Sequence, residues 1–214
     1  MLKAVAFDLW ETLITNAPDV SRAQQDLRVS RLEEVLVARG FGAAVDRIEH
    51  AHREVWTRCQ ELYWSADRDV SCRRQVEHFL EELELDPRTF DEATLAAIED
   101  AYALVAVDIP PRVVDGAAET LAALKSRGLR IGMISNTGRT PGYALRTILD
   151  LLGIGSSIDV MVFSNEHGAC KPQTSIFEEL RRGLDVAFAE LMFVGDNLYV
   201  DVHGAQRVGM RGVH

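Results

Sequence analysis

Beyond Pro110-Pro111 the sequence alternates between short apolar runs and longer segments with helical periodicity. Three apolar runs, Leu129–Ile134, Asp159–Phe163 and Leu191–Val194, have the length and composition of buried strands. Helices are predicted around them at Asp115–Arg127, Pro141–Leu152, Thr174–Arg182 and Tyr199–Val208, with a last edge strand after Arg211. This alternation favours a parallel sheet with helices on both faces. With a further apolar run over residues 3–8, it predicts an α/β fold with a doubly wound parallel sheet.

The segment between the first strand and Pro110 has a different pattern. Its apolar residues recur at helical spacing and no strand candidate falls within it. Four helices are predicted there, at Val20–Gly40, Ala44–Trp64, Cys72–Leu83 and Thr89–Val105. We therefore expect residues 15–105 to form an all-helical insertion, a cap domain, and residues 1–14 and 106–214 to form the α/β core domain.

Charge and composition restrict the partners of the chain. Its 214 residues carry a formal net charge of −10, which opposes binding to nucleic-acid phosphates or to an anionic membrane surface. The amino terminus has no signal-peptide pattern, and no apolar stretch reaches membrane-spanning length. The three cysteines show no metal-ligand spacing and suit a reducing compartment. We expect a cytoplasmic protein, monomeric or homodimeric, that acts on a small molecule.

Polar residues stand at the carboxyl ends of four predicted strands. These are Asp8, Ser135 and Asp196, together with Lys171 some way beyond its strand. Taken alone, each has an ordinary structural explanation as a turn or helix-cap residue. The carboxyl ends of parallel strands meet at one edge of the sheet, however, so these residues are predicted to converge there.

Together these residues have the chemistry of nucleophilic catalysis on an anionic substrate. A carboxylate nucleophile such as Asp8 forms a covalent ester and divides one difficult displacement into two easier ones. Ser135, the backbone amides after it and Lys171 are donors for an anionic substrate group. Asp8 and Asp196 are hard oxygen ligands that suit Mg²⁺.

Four short motifs occur in a fixed order that covers nearly the whole chain. They are Phe7-Asp8 through Thr12-Leu13, Ile134-Ser135-Asn136, Ser164 through Lys171-Pro172 with Ile176-Phe177, and Val194-Gly195-Asp196 through Asp201 with Gly204-Ala205. In this order the chain resembles the haloacid dehalogenase-like (HAD) hydrolase superfamily, in its capped phosphatase and dehalogenase branch. The resemblance implies a Rossmann-like core with an inserted cap that closes over the site and carries substrate specificity.

The resemblance also implies a role for each motif residue. Asp8 would be the nucleophile, and Lys171 a charge-neutralising clamp that acts in catalysis and substrate binding. Ser135, with Asn136 beside it, would bind the phosphate. Magnesium would be held by four residues: Asp8, the backbone carbonyl of Trp10, Asp196 and Asp201.

Trp10 departs from the pattern of the phosphatases in this superfamily. They have a second aspartate two residues after the nucleophile, which protonates the leaving group and then activates water; Trp10 can do neither. Such acid and base catalysis is typically worth roughly 10²–10⁴-fold in rate. Glu11 is one candidate substitute, although adjacent residues in an extended segment point in opposite directions.

A second source of the missing acid or base is the cap. His50, His52 and Glu54 lie on one predicted helix, where a solvated face is the simpler interpretation.

Trp10 leaves three functions open. The dehalogenases of the superfamily carry a bulky aromatic residue at this position and need no metal, which favours a 2-haloacid dehalogenase. Gly195-Asp196 is the metal-bearing form of the fourth motif, and a carboxylate beside Asp8 is electrostatically costly without a cation. We therefore expect an Mg²⁺-dependent phosphatase of a small phosphorylated metabolite, slowed by Trp10. A catalytically weak protein that binds a phosphorylated ligand or a partner protein is the third alternative.

Overall fold

The computed structural model describes all residues, 1–214, and contains one parallel five-stranded sheet. Its strands are β1 (Ala4–Phe7), β4 (Arg130–Ser135), β5 (Val160–Phe163), β6 (Leu191–Val194) and β7 (Arg211–Val213). They lie in the order β5-β4-β1-β6-β7. All four neighbouring pairs are parallel. The α/β fold class predicted from the sequence is thereby confirmed.

Strand β1 lies in the middle of the sheet and is buried on both faces. Phe7 is in register with Met133 of β4 on one side and with Val194 of β6 on the other. Because side chains alternate along a strand, Val5 and Phe7 face one apolar cluster, whereas Ala4 and Ala6 face the other. The residue after Phe7 therefore leaves the sheet at the centre of its carboxyl edge.

Helices cover both faces of the sheet, as a doubly wound sheet requires. One face packs against α6 (Ala117–Ser126) and α7 (Gly142–Leu151), and the other against α9 (Thr174–Leu184) and α10 (Gly204–Arg207). A single-turn helix, α8 (Ser164–His167), follows β5. Where the sequence predicts one helix near Tyr199–Val208, a π-helix spans Leu198–His203 before α10 begins.

The segment between β1 and β4 is mainly helical and has an apolar core of its own. Its helices are α1 (Pro18–Ala38), α2 (Val45–Leu62), α3 (Cys72–Glu82), α4 (Glu92–Ala103) and α5 (Val105–Asp108). The buried residues that α1 to α4 share, such as Leu36, Phe79 and Tyr102, form a cluster that includes no residue of the sheet. We call residues 18–108 the helical block below.

Two short strands at the base of the helical block were not predicted. β2 (Ile14–Thr15) pairs antiparallel with β3 (Arg112–Val113), so the chain segments that enter and leave the block are held together. Thr15, predicted to begin the helical insertion, is the second residue of β2. Strands of two residues are too short to produce a periodic pattern.

No helix combines the length and the apolar character that crossing a bilayer would require.

Candidate active site

Asp8 occupies the central position at the carboxyl edge of the sheet. Its backbone N–H donates to Val194 O at 2.8 Å, which continues the pairing of β1 with β6 by one residue. Its carboxylate is buried, with only 7% of the residue exposed. The structure therefore presents a carboxylate with little water around it, at the place where the sequence predicts the nucleophile.

Lys171 is the cation that contacts Asp8. Its Nζ donates to Asp8 Oδ1 at 2.5 Å and lies 2.7 Å from Asp201 Oδ1, without the alignment of a hydrogen bond to the latter. The backbone of Lys171 is held by the carboxamide of Asn136. Lys171 N donates to Asn136 Oδ1 at 2.8 Å, and Asn136 Nδ2 donates to Lys171 O at 3.1 Å.

The charges at this centre do not balance. Burial raises the pKa of the Asp8 carboxyl; Asp201 adds to this, while Lys171 opposes it. Burial would lower the pKa of Lys171, but the ion pairs with Asp8 and Asp201 outweigh it and raise that pKa, so the ammonium stays protonated. Asp196 brings a third carboxylate within 4.8 Å of the other two, whereas Lys171 supplies one ammonium, which pairs with Asp8 and Asp201.

The three carboxylates suit a divalent cation. One oxygen from each of Asp8, Asp196 and Asp201 lies within 4.8 Å of the others. Asp196 is exposed, whereas Asp8 and Asp201 are buried. Mg²⁺ prefers a few carboxylate ligands and keeps several waters, which an exposed side of the cluster permits. The position of the Trp10 carbonyl as a further ligand stays a prediction.

Local backbone geometry brings Asp201 to this cluster. Asn197 caps the π-helix, its Oδ1 accepting from Tyr199 N at 2.9 Å and Val200 N at 3.1 Å. Asp201 Oδ2 accepts from Asn197 N at 3.0 Å. A Cβ at Gly195 would lie 2.4 Å from the Asp201 carboxyl carbon, so only glycine leaves room for this carboxylate. Irregular π-type turns of this kind are frequent at functional sites.

Ser135 ends β4 with an unsatisfied hydroxyl. Its Oγ is fully buried and has no hydrogen-bond partner. A buried polar group without a partner costs about 1–3 kcal/mol, so a substrate oxygen at this position would relieve that cost. Of the backbone amides that follow, Thr137 N already donates to Ser164 Oγ at 2.9 Å. The carboxamide of Asn136 is likewise engaged with Lys171, and its role as a substrate ligand stays a prediction.

Trp10 and Glu11 form the turn that leaves Asp8. The Trp10 side chain is half-buried, and its backbone forms a bridge with Ile14. Glu11 has a φ of +60°, in the left-handed region that favours glycine. Its Oε2 accepts from Thr15 Oγ1 at 2.7 Å, in an exposed position. The Glu11 carboxylate thus has a partner at the surface, which does not favour Glu11 as the substitute acid.

The three candidates on helix α2 differ in their surroundings. His52 is buried, and burial, with a smaller effect from Arg139 and Arg28, lowers its pKa to about 2. It is therefore neutral at pH 7, and both ring nitrogens lack a partner. His50 and Glu54 lie on the exposed side of α2, 4.0 Å apart. None of the three lines the cavity beside Lys171.

A cavity of about 220 Å³ lies between the helical block and the core. Trp56 and Trp64 line it from the block, while Asn136 and Lys171 line it from the core. A larger depression of about 700 Å³ lies on the outside of the block around Arg74 and contains none of the strand-end residues. The smaller cavity is therefore the candidate substrate pocket.

One buried carboxylate beside this cavity was not predicted. Asp69 lies between α2 and α3 and accepts hydrogen bonds from Ser164 and Thr137 of the core. Within the run Asp67-Arg68-Asp69 it has the sequence signature of a solvated loop, and its partners follow 68 and 95 residues later. No local pattern in the sequence could have identified it.

The family model of haloacid dehalogenase-like hydrolases matches residues 2–209. The chain belongs to this family and is a hydrolase. A glyceraldehyde 3-phosphate phosphatase of Pyrococcus abyssi (strain GE5 / Orsay) is 28% identical over 215 residues, covering 100% of this chain and 81% of that protein. A ribulose-1,5-bisphosphate 5-phosphatase of Halopiger xanaduensis (strain DSM 18323 / JCM 14033 / SH-6) is 28% identical over 213 residues, 100% of this chain and 84% of that protein.

Solved structures of two different activities share the fold. A 2-haloacid dehalogenase from Pseudomonas syringae pv. Tomato DC3000 matches 99% of this chain and 85% of its own, with a TM-score of 0.68 and 22% identity. A HAD phosphatase from Thermococcus onnurineus also matches 99% of this chain and 85% of its own, with a TM-score of 0.62 and 24% identity. These matches confirm the fold, and the choice between the two reactions depends on the site residues.

Proposed function

We propose that this hydrolase is an Mg²⁺-dependent phosphatase that acts on a small phosphorylated metabolite through an aspartyl-phosphate on Asp8. The observation that carries the proposal is the convergence of the Asp8, Asp196 and Asp201 carboxylates, of which Asp8 and Asp201 pair with a single ammonium, that of Lys171. A dehalogenase that works without metal has no need for a third carboxylate at this position. The names of the relatives at 28% identity also favour phosphate-ester substrates.

The chemistry consists of two displacements at phosphorus. In the first, an Asp8 oxygen bonds to phosphorus and the ester oxygen leaves as an alkoxide, which takes a proton from water. In the second, water attacks the same phosphorus, the bond to Asp8 breaks, and inorganic phosphate leaves with the excess proton passing to solvent. The Ser135 hydroxyl and the Lys171 ammonium would bind the non-bridging phosphate oxygens.

The metal would be held by Asp8, Asp196, Asp201 and the Trp10 carbonyl. When bound, Mg²⁺ supplies positive charge that offsets the repulsion between Asp8 and the phosphate and favours ionised Asp8. This fits the raised pKa of the Asp8 carboxyl in a site with only one ammonium.

Trp10 makes the proposed enzyme slow, because its indole cannot protonate the leaving oxygen as an aspartate at that position would. The same residue favours a 2-haloacid dehalogenase as the second candidate, since halide leaves without a proton. In either case we propose that residues 15–105 form a cap over the 220 Å³ cavity and determine which substrates enter. The three buried free cysteines support our proposal of a reducing, cytoplasmic location, where the protein would be a monomer or a homodimer.

The deciding experiment measures phosphate release from a panel of phosphomonoesters with and without Mg²⁺. Glyceraldehyde 3-phosphate, ribulose 1,5-bisphosphate and phosphoglycolate are suitable first substrates. We expect Mg²⁺-dependent turnover that Asp8→Asn abolishes, and a denaturation-stable ³²P label on wild type but not on Asp8→Asn. Metal-independent chloride release from 2-chloropropionate would refute the phosphatase and support a 2-haloacid dehalogenase. Phosphate binding without turnover would refute it in favour of a catalytically weak protein that binds a phosphorylated ligand.

A further inference from the structure

One of the contacts between the helical block and the core lies next to the active site, in the connection between α2 and α3. Asp69 N donates to Gly168 O at 3.1 Å, and Cys170 N donates to Asp67 O at 2.9 Å. These bonds join the α2–α3 connection to the loop whose next residue is Lys171. The block is therefore fixed to the core at a point remote in sequence from its two ends.

The Asp69 side chain is the centre of this contact. Its Oδ2 accepts from Ser164 Oγ at 2.5 Å and from Thr137 Oγ1 at 3.2 Å, both in the core. Its Oδ1 accepts from Trp64 Nε1 and Val70 N, both at 2.8 Å and both in the helical block. Only 7% of Asp69 is exposed. One oxygen of the carboxylate thus accepts hydrogen bonds from the block, and the other accepts hydrogen bonds from the core.

The core partners of Asp69 are hydrogen-bonded to the segment that carries the residues expected to bind phosphate. Ser164 Oγ donates to Asp69 and accepts from Thr137 N at 2.9 Å, which fixes the backbone two residues after Ser135. Asn136, between Ser135 and Thr137, holds the backbone of Lys171 through both atoms of its carboxamide. A movement of Thr137 would therefore displace both groups expected to bind phosphate oxygens.

We propose that Asp69 is a positioning residue through which the helical block sets the geometry of Ser135 and Lys171. The inference rests on the proposed phosphatase function and adds a residue that no motif assigns. If the block moves away from the core, Asp69 leaves Ser164 and Thr137, and the loop that carries Ser135 loses its support. Binding of phosphate is thereby coupled to docking of the block.

Asp69 is not proposed as the missing acid or base. An ionised carboxylate has about four acceptor positions, and hydrogen bonds from protein groups occupy four here. Water or a leaving oxygen would have to displace one of them. The role of Asp69 is therefore exerted through Ser164 and Thr137.

Asp69→Asn tests this role with little change in volume. Donors approach both carboxylate oxygens, but an amide has only one oxygen, so its NH₂ group must face donors on either the block side or the core side. The matched control is Asp26→Asn, which makes the same charge change on the exposed side of α1. Ser164→Ala removes one of the two core partners of Asp69 and leaves the helical block unchanged in sequence.

Two readouts separate positioning from simple stabilisation. In folded Asp69→Asn we expect kcat/KM for a phosphomonoester to fall about tenfold to a hundredfold, mainly through KM, because a small misplacement of binding groups has effects of this size. We also expect the Thr137 amide to exchange its hydrogen at least about tenfold faster, since its acceptor Ser164 is no longer fixed. Ser164→Ala should reproduce both changes, and the double variant should be little worse than either single one.

Unchanged KM and unchanged Thr137 exchange in folded Asp69→Asn would overturn the inference, as would equal changes in Asp26→Asn. If Asp69→Asn does not fold, KM and Thr137 exchange in Ser164→Ala and Thr137→Val test the same contact through its core residues. The failure of the proposed function has a different signature, which is no phosphatase turnover by wild type. In that case exchange at Thr137 and the affinity for inorganic phosphate decide: weaker binding in Ser164→Ala supports the inference, and equal binding overturns it.

Discussion

Replacing Lys171 with methionine removes the only ammonium at the active centre while nearly preserving side-chain volume. Lys171 Nζ lies 2.5 Å from Asp8 and 2.7 Å from Asp201, and the exposed fractions of these three side chains are 1%, 10% and 1%. Solvent therefore cannot replace the lost charge. Removing one partner of such a buried pair costs about 3–5 kcal/mol in the free energy of unfolding.

Protonation of one carboxyl sets a ceiling on this cost. With an unfolded pKa of about 3.9, keeping one aspartate neutral at pH 7 costs about 4 kcal/mol. The folded Lys171→Met protein then binds a proton that its unfolded chain lacks, so its stability falls as the pH rises from about 4 to 7. Burial raises the pKa of Asp8 in the wild type as well, but Lys171 opposes this, so the wild type follows the same trend to a smaller extent. The difference between the two proteins should shrink by up to about 1.4 kcal/mol per pH unit on acidification.

Urea unfolding at pH 5, 6 and 7 in the absence of metal measures this difference. Lys125→Met is the matched control, because Lys125 also lies 2.5 Å from an aspartate, Asp159, but the two side chains are 39% and 35% exposed. An exposed pair of this kind contributes less than about 1 kcal/mol. The reasoning is refuted if Lys171→Met costs no more than Lys125→Met at pH 7, or if its cost does not depend on pH.

Three further predictions address single residues. Trp10→Asp should raise kcat for phosphomonoesters by roughly 10²–10⁴-fold, and no rise in a folded variant would show that the missing proton donor does not limit turnover. Asp196→Asn should raise the Mg²⁺ concentration for half-maximal activity at least about tenfold, measured by metal titration. An unchanged midpoint would show that Asp196 is not a ligand of the metal. His52, with a pKa of about 2 when folded, binds a proton only on unfolding below about pH 6.5, so wild-type stability falls with decreasing pH. His52→Leu should remove up to about 2 kcal/mol of that loss at pH 5 in urea unfolding; equal pH dependence of the two proteins would contradict the neutral, buried histidine.

The elements with strong periodicity were predictable from the sequence, and the site followed from them. The strands that end at Asp8 and Ser135 are buried apolar runs, and their carboxyl ends must share an edge once the strands are parallel. Convergence of Asp8 and Asp196 is a consequence of that topology, whereas the π-helix after β6 brings Asp201 to within 4.8 Å of them. Their proposed roles came from the family resemblance, because geometry alone does not distinguish a nucleophile from a metal ligand.

The features that escaped prediction depend on contacts distant in sequence or on irregular backbone. The pairing of β2 with β3 joins residues almost 100 positions apart through two residues on each side. The π-helix Leu198–His203 differs from an α-helix in its hydrogen bonds, which the spacing of apolar residues does not reveal. The position of Asp69 next to the site depends on its hydrogen bonds with Ser164 and Thr137, which are distant in sequence.

Trp10 shows why the fold is more predictable than the reaction. The turn after Asp8 is built from backbone contacts, with Glu11 N donating to Ile14 O at 2.7 Å and Trp10 bridged to Ile14. These contacts do not depend on the side chain at position 10, so an aspartate or a tryptophan fits the same turn. Asp8 and Asp196, the proposed nucleophile and a proposed metal ligand, follow strands of the sheet, whereas position 10, where an aspartate would be the proton donor, lies in this turn. One substitution can therefore change the chemistry while the fold stays the same, which agrees with the similar fold of a dehalogenase and a phosphatase.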